Sequence, residues 1–234
     1  EQYLEASPGL QLIENPVIVS ALHSGDVAGG NVVFVGRSDG MAVRDLQKFF
    51  GEFVANPRAV GAVSPSSMNL ARHLVGAVDW DHTTTILEYG PGTGAITEVI
   101  VADLPTATRF CAIEISPKFA DLLSERFPEI SVLTGSVADV KQLCETEGID
   151  QVDAIVSGLP WAGFSDDDQT SYLDATMEVL RPGGQFITFG YLQGKLLPAG
   201  RRFRKKLDQY FSDVSISKPV WGNLPPAFFY SCRR

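Results

Sequence analysis

The 234-residue chain is poor in the residues that build metal sites and disulfide frameworks. It has three cysteines and three histidines. Cys111, Cys144 and Cys232 lie far apart, and two of them sit in strand-like apolar runs, so they read as free, buried thiols. His23, His73 and His82 lack ligand spacing, and no metal is expected. No apolar run is long enough to span a bilayer. The opening residues Glu1-Gln2-Tyr3-Leu4-Glu5 lack the basic start of a signal peptide, so a cytoplasmic protein is expected. Positive charge is scarce as well. Nineteen Lys and Arg face 28 Asp and Glu, a net charge of -9, which argues against nucleic acid as a partner. Any membrane contact must then be local, and one basic cluster stands out, Arg201-Arg202-Phe203-Arg204-Lys205-Lys206.

What is present is organised in three parts. Residues 1–40 form an N-terminal arm to which no role is assigned; Met41 also reads as a possible native start. Residues 41–80 carry helical patterns. Val43, Leu46, Phe49, Phe50, Phe53 and Val54 recur at helical spacing until Asn56-Pro57 stops the helix, and a second helix opens at Pro65-Ser66-Ser67 and runs to about Val78. Residues 81–234 alternate between strands and helices. Strands are expected near 85–89, 109–115, 131–134, 152–157, 184–190, 214–219 and 226–232. Helices fit near 93–103, 116–127, 137–146, 167–180 and 198–211. This alternation predicts an α/β, Rossmann-like fold with a mostly parallel seven-stranded sheet. The last two strands have only the turn-rich Trp221–Pro226 link between them, which predicts a C-terminal antiparallel hairpin.

The first of these strands, Thr85-Ile86-Leu87-Glu88-Tyr89, leads into Gly90-Pro91-Gly92-Thr93-Gly94 and then a helix. Such a loop ends the first parallel strand, where open α/β sheets bind ligands. Its spacing leaves two readings. Gly90, Gly92 and Ala95 satisfy the dinucleotide pattern, and Glu114 supplies the acid that either a dinucleotide or S-adenosylmethionine places on ribose hydroxyls. Three features favour S-adenosylmethionine. The Glu88 carboxylate suits an ammonium and a sulfonium and repels a pyrophosphate. The chain leaves little room for a separate substrate domain. The fourth strand ends in Ser157-Gly158-Leu159-Pro160-Trp161, a turn able to set polar backbone beside a reacting methyl. On this reading the cofactor is held by Glu88, Gly90, Gly92, Gly94, Glu114, Ile115, Ser136, Val137, Ser157 and Gly158, and the Gly135–Asp139 loop contacts the adenine. Asp139 as a simple helix cap is the competing assignment.

Further segments carry a family resemblance. Val60-Gly61-Ala62-Val63-Ser64-Pro65-Ser66-Ser67, Glu88–Gly94, Ser157-Gly158-Leu159-Pro160 and Val220-Trp221-Gly222-Asn223-Leu224-Pro225-Pro226-Ala227 resemble the bacterial phospholipid N-methyltransferases, relatives of the ribosomal-RNA adenine dimethyltransferases. The resemblance starts near Val43 and includes Phe49-Phe50. It implies methyl transfer to the amine headgroup of a phospholipid, phosphatidylethanolamine towards phosphatidylcholine. An ornithine lipid, RNA or a small metabolite stands as the alternative. The RNA enzymes carry Asn where this chain has Gly158, and an amide there would hold the exocyclic nitrogen of adenine. Ser136 stands where family members often have Asp, which shifts adenine contact there to the backbone.

The chemistry suggests candidates for catalysis. Tyr89, Tyr191 or a water near Ser157 would take the amine proton, and Trp161, Tyr191 or Trp221 would face the methylated cation. A lipid substrate also suggests peripheral contact with an anionic surface on the inner membrane face. The candidates are the Met41–Val54 helix, with Phe49, Phe50 and Phe53 opposed to Arg44 and Lys48, and the basic run Arg201–Lys206.

Overall fold

The computed structural model describes residues 65–234, apart from 197 and 224. The arm expected over 1–40 and the Met41–Val54 helix lie outside the described residues. Seven strands form one sheet: β1 (Thr85–Tyr89), β2 (Arg109–Glu114), β3 (Ser131–Thr134), β4 (Val152–Ser157), β5 (Leu180–Tyr191), β6 (Asp213–Ile216) and β7 (Ala227–Arg233). Their order is β3-β2-β1-β4-β5-β7-β6. Helices α1 (Pro65–Val75), α2 (Ala95–Asp103), α3 (Pro117–Arg126), α4 (Val140–Thr146), α5 (Asp166–Val179) and α6 (Pro198–Tyr210) flank it. The Rossmann-like expectation holds. No described helix is long and apolar enough to cross a membrane.

Both faces of the sheet are covered, which is why its central strands read as near-continuous apolar runs. Along β1 the side chains alternate. Ile86 packs with Leu70, Leu74 and Ile100 of α1 and α2, while Leu87 and Tyr89 pack with Cys144, Leu173 and Val179 of α4 and α5. Local chemistry sets the helix starts. Pro117 opens α3, where its missing N–H costs nothing. Ser165 opens α5; its Oγ accepts from the Asp168 N–H at 3.1 Å and donates to the Asp168 carboxylate at 2.6 Å. All three cysteines are buried and free.

β6 ends at Ile216 rather than near 219 and α1 at Val75 rather than near Val78, and two larger features differ from the sequence reading. First, β5 begins at Leu180, directly after α5, rather than near 184. Val152 pairs with Leu180 and Ala154 with Gln185, so Arg181-Pro182-Gly183-Gly184 bulges out of register, with Gly183 at φ 75°. Second, the terminal pair is more than a hairpin at the edge. β7 inserts between β5 and β6 and runs antiparallel to both. Phe228, Tyr230 and Cys232 give β7 an apolar face for the interior, whereas β6 carries Asp213 and Ser215 and takes the edge.

The amino ends of β1, β4 and β5 are tied by one carboxylate. Asp153 accepts from the Thr84 N–H and Thr84 Oγ1, both at 2.8 Å, from the Thr85 N–H at 2.9 Å, and from Arg181 Nε. Burial raises its pKa, but the Arg181 and threonine hydrogen bonds outweigh that and hold it below the ordinary value. Asp153→Ala leaves two backbone donors and the Arg181 Nε–H unanswered. It should lower stability by about 2–4 kcal/mol, read as a fall in the urea midpoint; an unchanged midpoint would remove Asp153 from this role.

Candidate active site

The glycine loop joins the carboxyl end of β1 to α2. Gly90, Gly92 and Gly94 have φ of 65°, 56° and 84°, a left-handed region that favours glycine. The Gly90 N–H donates to the Ile113 carbonyl at 2.9 Å, and the Gly94 N–H closes the turn on Pro91 O at 2.9 Å. Around Gly94 the space is filled by Leu123 and Phe127 from α3 and its end. A Cβ on Gly92 would meet nothing within 4 Å, so this part of the loop borders open space.

The second loop, after β4, closes on the first. Gly158 N–H donates to Tyr89 O at 2.8 Å, and a Cβ on Gly158 would stand 2.7 Å from Gly90 O. Gly90 is in turn roofed by Leu159, whose Cδ2 lies 2.5 Å from where a Cβ would be. The third loop joins through Gly135 N–H, which donates to Glu114 O at 3.0 Å. The loops carrying Glu88, Gly90, Gly92, Gly94, Glu114, Ile115, Ser136, Val137, Ser157 and Gly158 are thus gathered at one edge of the sheet.

Two acids govern the charge there. Glu114 is buried and accepts from Gly92 N–H at 3.0 Å and from Ser116 N–H at 2.9 Å. It therefore engages a loop N–H that a pyrophosphate would need. Glu88 is fully buried. Its Oε2 accepts from Thr97 Oγ1 at 2.7 Å, and its Oε1 has no hydrogen-bond partner. Burial pushes its pKa up to about 8; the Thr97 hydrogen bond opposes the rise and the Glu114 charge adds to it. The ligand-free protein therefore holds Glu88 protonated near neutral pH, and a cation bound nearby would favour its ionised form.

Two expected catalytic side chains, Tyr89 and Trp161, turn away from this edge, and the remaining site residues differ in exposure. Tyr89 is fully buried between α4 and α5, with its phenol 3.5 Å from Thr176 Oγ1, and burial pushes its pKa well above the ordinary tyrosine value. Trp161 is 1% exposed and stacks on Phe203 with ring centroids 5.0 Å apart. Its Nε1–H donates to Ser157 Oγ at 2.9 Å. Both aromatics are core side chains in this structure, because alternation along β1 and the turn after β4 direct them inward. Ser157 is fully buried, its hydroxyl engaged by Trp161 and by the Leu159 N–H at 3.3 Å. Tyr191 ends β5, half-buried and edge-on to Phe189; burial raises its pKa. Trp221 is 72% exposed and Ile115 69%. Ser136, and not Asp139, supplies a cap: its Oγ accepts from the Ala138 N–H at 3.2 Å. The sequence reading missed three supports. Thr97 holds Glu88, Arg126 Nη1 donates to the Thr93 carbonyl at 3.1 Å, and Leu159 covers Gly90. Thr97 was findable, since it stands on the first turn of the helix that the loop opens.

The comparisons with known proteins agree with this geometry. A family model described as a methyltransferase domain matches residues 86–184. Ornithine lipid N-methyltransferase of Singulisphaera acidiphila is 34% identical over 195 residues, 82% of this chain and 97% of that protein. The chain belongs to the S-adenosylmethionine-dependent methyltransferases. Ribosomal RNA small subunit methyltransferase A of Chlorobium phaeobacteroides is 28% identical over 111 residues, 47% of this chain and 39% of that protein. The likeness in fold is shown by an O-methyltransferase from Bacillus cereus solved in complex with SAH, with TM-score 0.58, 20% identity, and coverage of 82% of this chain and 90% of that one. This methyltransferase is thus an enzyme whose cofactor is S-adenosylmethionine. The site fits that group: two buried acids and an unpartnered carboxyl oxygen suit a ligand bearing an ammonium and a sulfonium, and the space beside Gly92 is free.

Gly158→Ala should force the β1 and β4 loops apart. Cofactor affinity should fall at least about tenfold, with stability lower by about 1–3 kcal/mol, measured by calorimetric titration and urea unfolding; wild-type affinity would show that the contact is dispensable. Glu88 adds a pH dependence. Its folded pKa of about 8 lies above its ordinary 4.5, so between those values the folded state binds more protons than the unfolded one. Stability of the ligand-free protein should therefore fall as pH rises from about 4.5 to about 8, then level off. Glu88→Gln should flatten this slope in thermal melts across the same window, and an unchanged slope would place the titration elsewhere.

Proposed function

We propose that this methyltransferase transfers methyl groups to the amine of an amino lipid, with ornithine lipid as the first substrate to test. One observation carries the reading: the likeness to the Singulisphaera ornithine lipid N-methyltransferase extends over nearly the whole of that protein. The expectation of phosphatidylethanolamine gives way to ornithine lipid on that ground. Glycine rather than Asn at position 158 supports a target other than the exocyclic nitrogen of adenine. The fold adds support, since the helix that opens at the end of one segment marking the lipid enzymes meets the other of the two segments. α1 opens within the first of them, and its Asn69 side chain sits against Gly222 of the second, filling the space a Cβ there would need.

The roles divide as follows. Bound S-adenosylmethionine supplies a methyl on a sulfonium, already an excellent leaving group. Glu88 contributes a negative field from beneath the site rather than a surface contact, since it is fully buried. Glu114 keeps lone pairs for ribose hydroxyls beyond those given to Gly92 and Ser116. Ile115 offers an exposed apolar face for the adenine, and Ser136 and Val137 offer backbone groups. Gly158 and the Ser157 backbone border the reacting centre. Trp161 acts as a positioning residue that holds Ser157. Tyr191 stays protonated at neutral pH and serves as a wall for the headgroup, while the amine gives its proton to water before attack. Orientation of the free amine is the main contribution.

The test uses labelled S-adenosylmethionine with detergent-dispersed ornithine lipid, detergent-dispersed phosphatidylethanolamine, and total RNA in separate reactions. Label in ornithine lipid is expected. Label in phosphatidylethanolamine alone returns the substrate to the phospholipid class, and label in RNA alone, or in none of the three, overturns the lipid reading.

A further inference from the structure

The basic run at 201–206 is not one patch once folded. Lys206 pairs with Asp166 at 3.0 Å and bonds Thr170 on α5, and Arg204 pairs with Asp208. Arg201, Arg202 and Lys205 remain exposed and form no ion pair among the described residues. They fall on one helical face, since their spacing of i, i+1 and i+4 brings them together. Phe203 and Leu207 face the other way, into the core.

Their height above the molecule follows from how α5 and α6 pack. Lys206 meets Asp166 and Thr170, and four residues on, Tyr210 OH donates to Asp174 at 2.6 Å. The two helices thus run in step and in the same direction. Since Lys206 is level with the start of α5, the residues before it overhang that start. Arg201 and Arg202 stand roughly 6–8 Å beyond it at 1.5 Å per residue. The overhang is held down by Phe203 stacked on Trp161, just after β4, and by Gly200 against the Gly194 backbone. Asp167 and Asp168, in the first turn of α5, lie below it.

An exposed indole shares this edge. Trp221 belongs to the β6–β7 link, whose end is fixed where Ala227 pairs with Tyr191 at the carboxyl end of β5. The Leu192 N–H donates to Pro226 O at 3.0 Å, so this link and the turn leading to α6 are bonded neighbours. Lys195 of that turn lies over the Phe228 ring at 3.9 Å. Cations and an amphipathic aromatic therefore rim the same edge as the glycine loop, on a chain of net charge -9. A uniformly acidic protein is repelled by an anionic bilayer; Arg201, Arg202 and Lys205, exposed and without ion pairs among the described residues, give this acidic chain a local basic face above the acids of α5.

We propose that the α6 overhang, through Arg201, Arg202 and Lys205, docks with Trp221 on an anionic lipid surface, turning the carboxyl edge of the sheet towards the headgroups. The cations meet lipid phosphates and the indole settles at the headgroup level, where one end is apolar and the other wet. The docking extends the amino-lipid reading, and its test is independent of it. The full chain is floated, without cofactor or amino lipid, with vesicles of phosphatidylcholine alone and of phosphatidylcholine mixed with phosphatidylglycerol. Wild type should rise with the anionic vesicles only and be released by salt. The triple variant Arg201→Glu/Arg202→Glu/Lys205→Glu should bind on the order of a hundredfold more weakly, and Trp221→Ala about tenfold. The milder Arg201→Gln/Arg202→Gln pair guards against loss of fold, which circular dichroism checks, and Lys141→Glu on α4 should bind as wild type. Equal binding to both vesicle types, no binding by wild type, or wild-type binding by the triple variant overturns the proposal. A protein that docks yet labels no lipid sinks the substrate reading and leaves this surface standing.

Discussion

At the carboxyl edge of the sheet the backbones of β1 and β4 approach until no side chain fits between them. Gly158 N–H bonds Tyr89 O at 2.8 Å, and Gly90 O occupies the position a Cβ on Gly158 would approach. The rest of the site is hung on this contact. Because β1 and β4 are locked, Gly92 can present its N–H to Glu114 on β2, and Gly135 can bond the Glu114 carbonyl from beyond β3. Arg126 and Trp161 brace the two loops from outside, through the Thr93 carbonyl and the Ser157 hydroxyl. The loops at this edge are therefore held by hydrogen bonds within the chain, and a loop so held carries less ordering cost on binding than a free one.

Electrostatics then selects the ligand. A Rossmann-type loop by shape alone accepts a pyrophosphate on its free N–H groups. Here one such N–H is already given to Glu114, and a second carboxyl, Glu88, lies buried behind the loop with an oxygen unpartnered. Burying an unpaired polar oxygen costs about 1–3 kcal/mol, and keeping a site acidic penalises anions. Both terms favour a cationic ligand. Protonation of Glu88 in the ligand-free state lowers the cost of keeping two acids close together, and ionisation becomes favourable when positive charge enters.

Beside the glycine loop, the carboxyl edge of the sheet is completed by pieces distant in sequence. α1, the β6–β7 link and the turn into α6 meet at the ends of β5 and β7. The cations there are sorted by packing. Those that face α5 or β7 are paired or lie against aromatic rings, and those on the overhang face outward. A run of basic residues thus becomes part structural clamp and part exposed rim.

Periodicity alone placed most strands and helices within a residue or two, because sheets buried on both faces and amphipathic helices leave direct traces in apolar spacing. The glycines, Glu88 and Glu114 were legible because a loop that must turn sharply beside a cation demands those residue types. What the sequence could not decide were directions and neighbours. Tyr89 adjoins the glycine loop in sequence, yet strand alternation turns it into the core. Trp161 follows the Ser-Gly-Leu-Pro turn and is drawn inward by Phe203, a residue 42 positions away. β7 reads as half of a hairpin, and only competition between its apolar face and the polar β6 sends it to the interior. The glycine loop was determined by local chemistry; its lock on β4, its braces and the division of the basic run were decided by tertiary packing, since each depends on which distant surface a side chain meets.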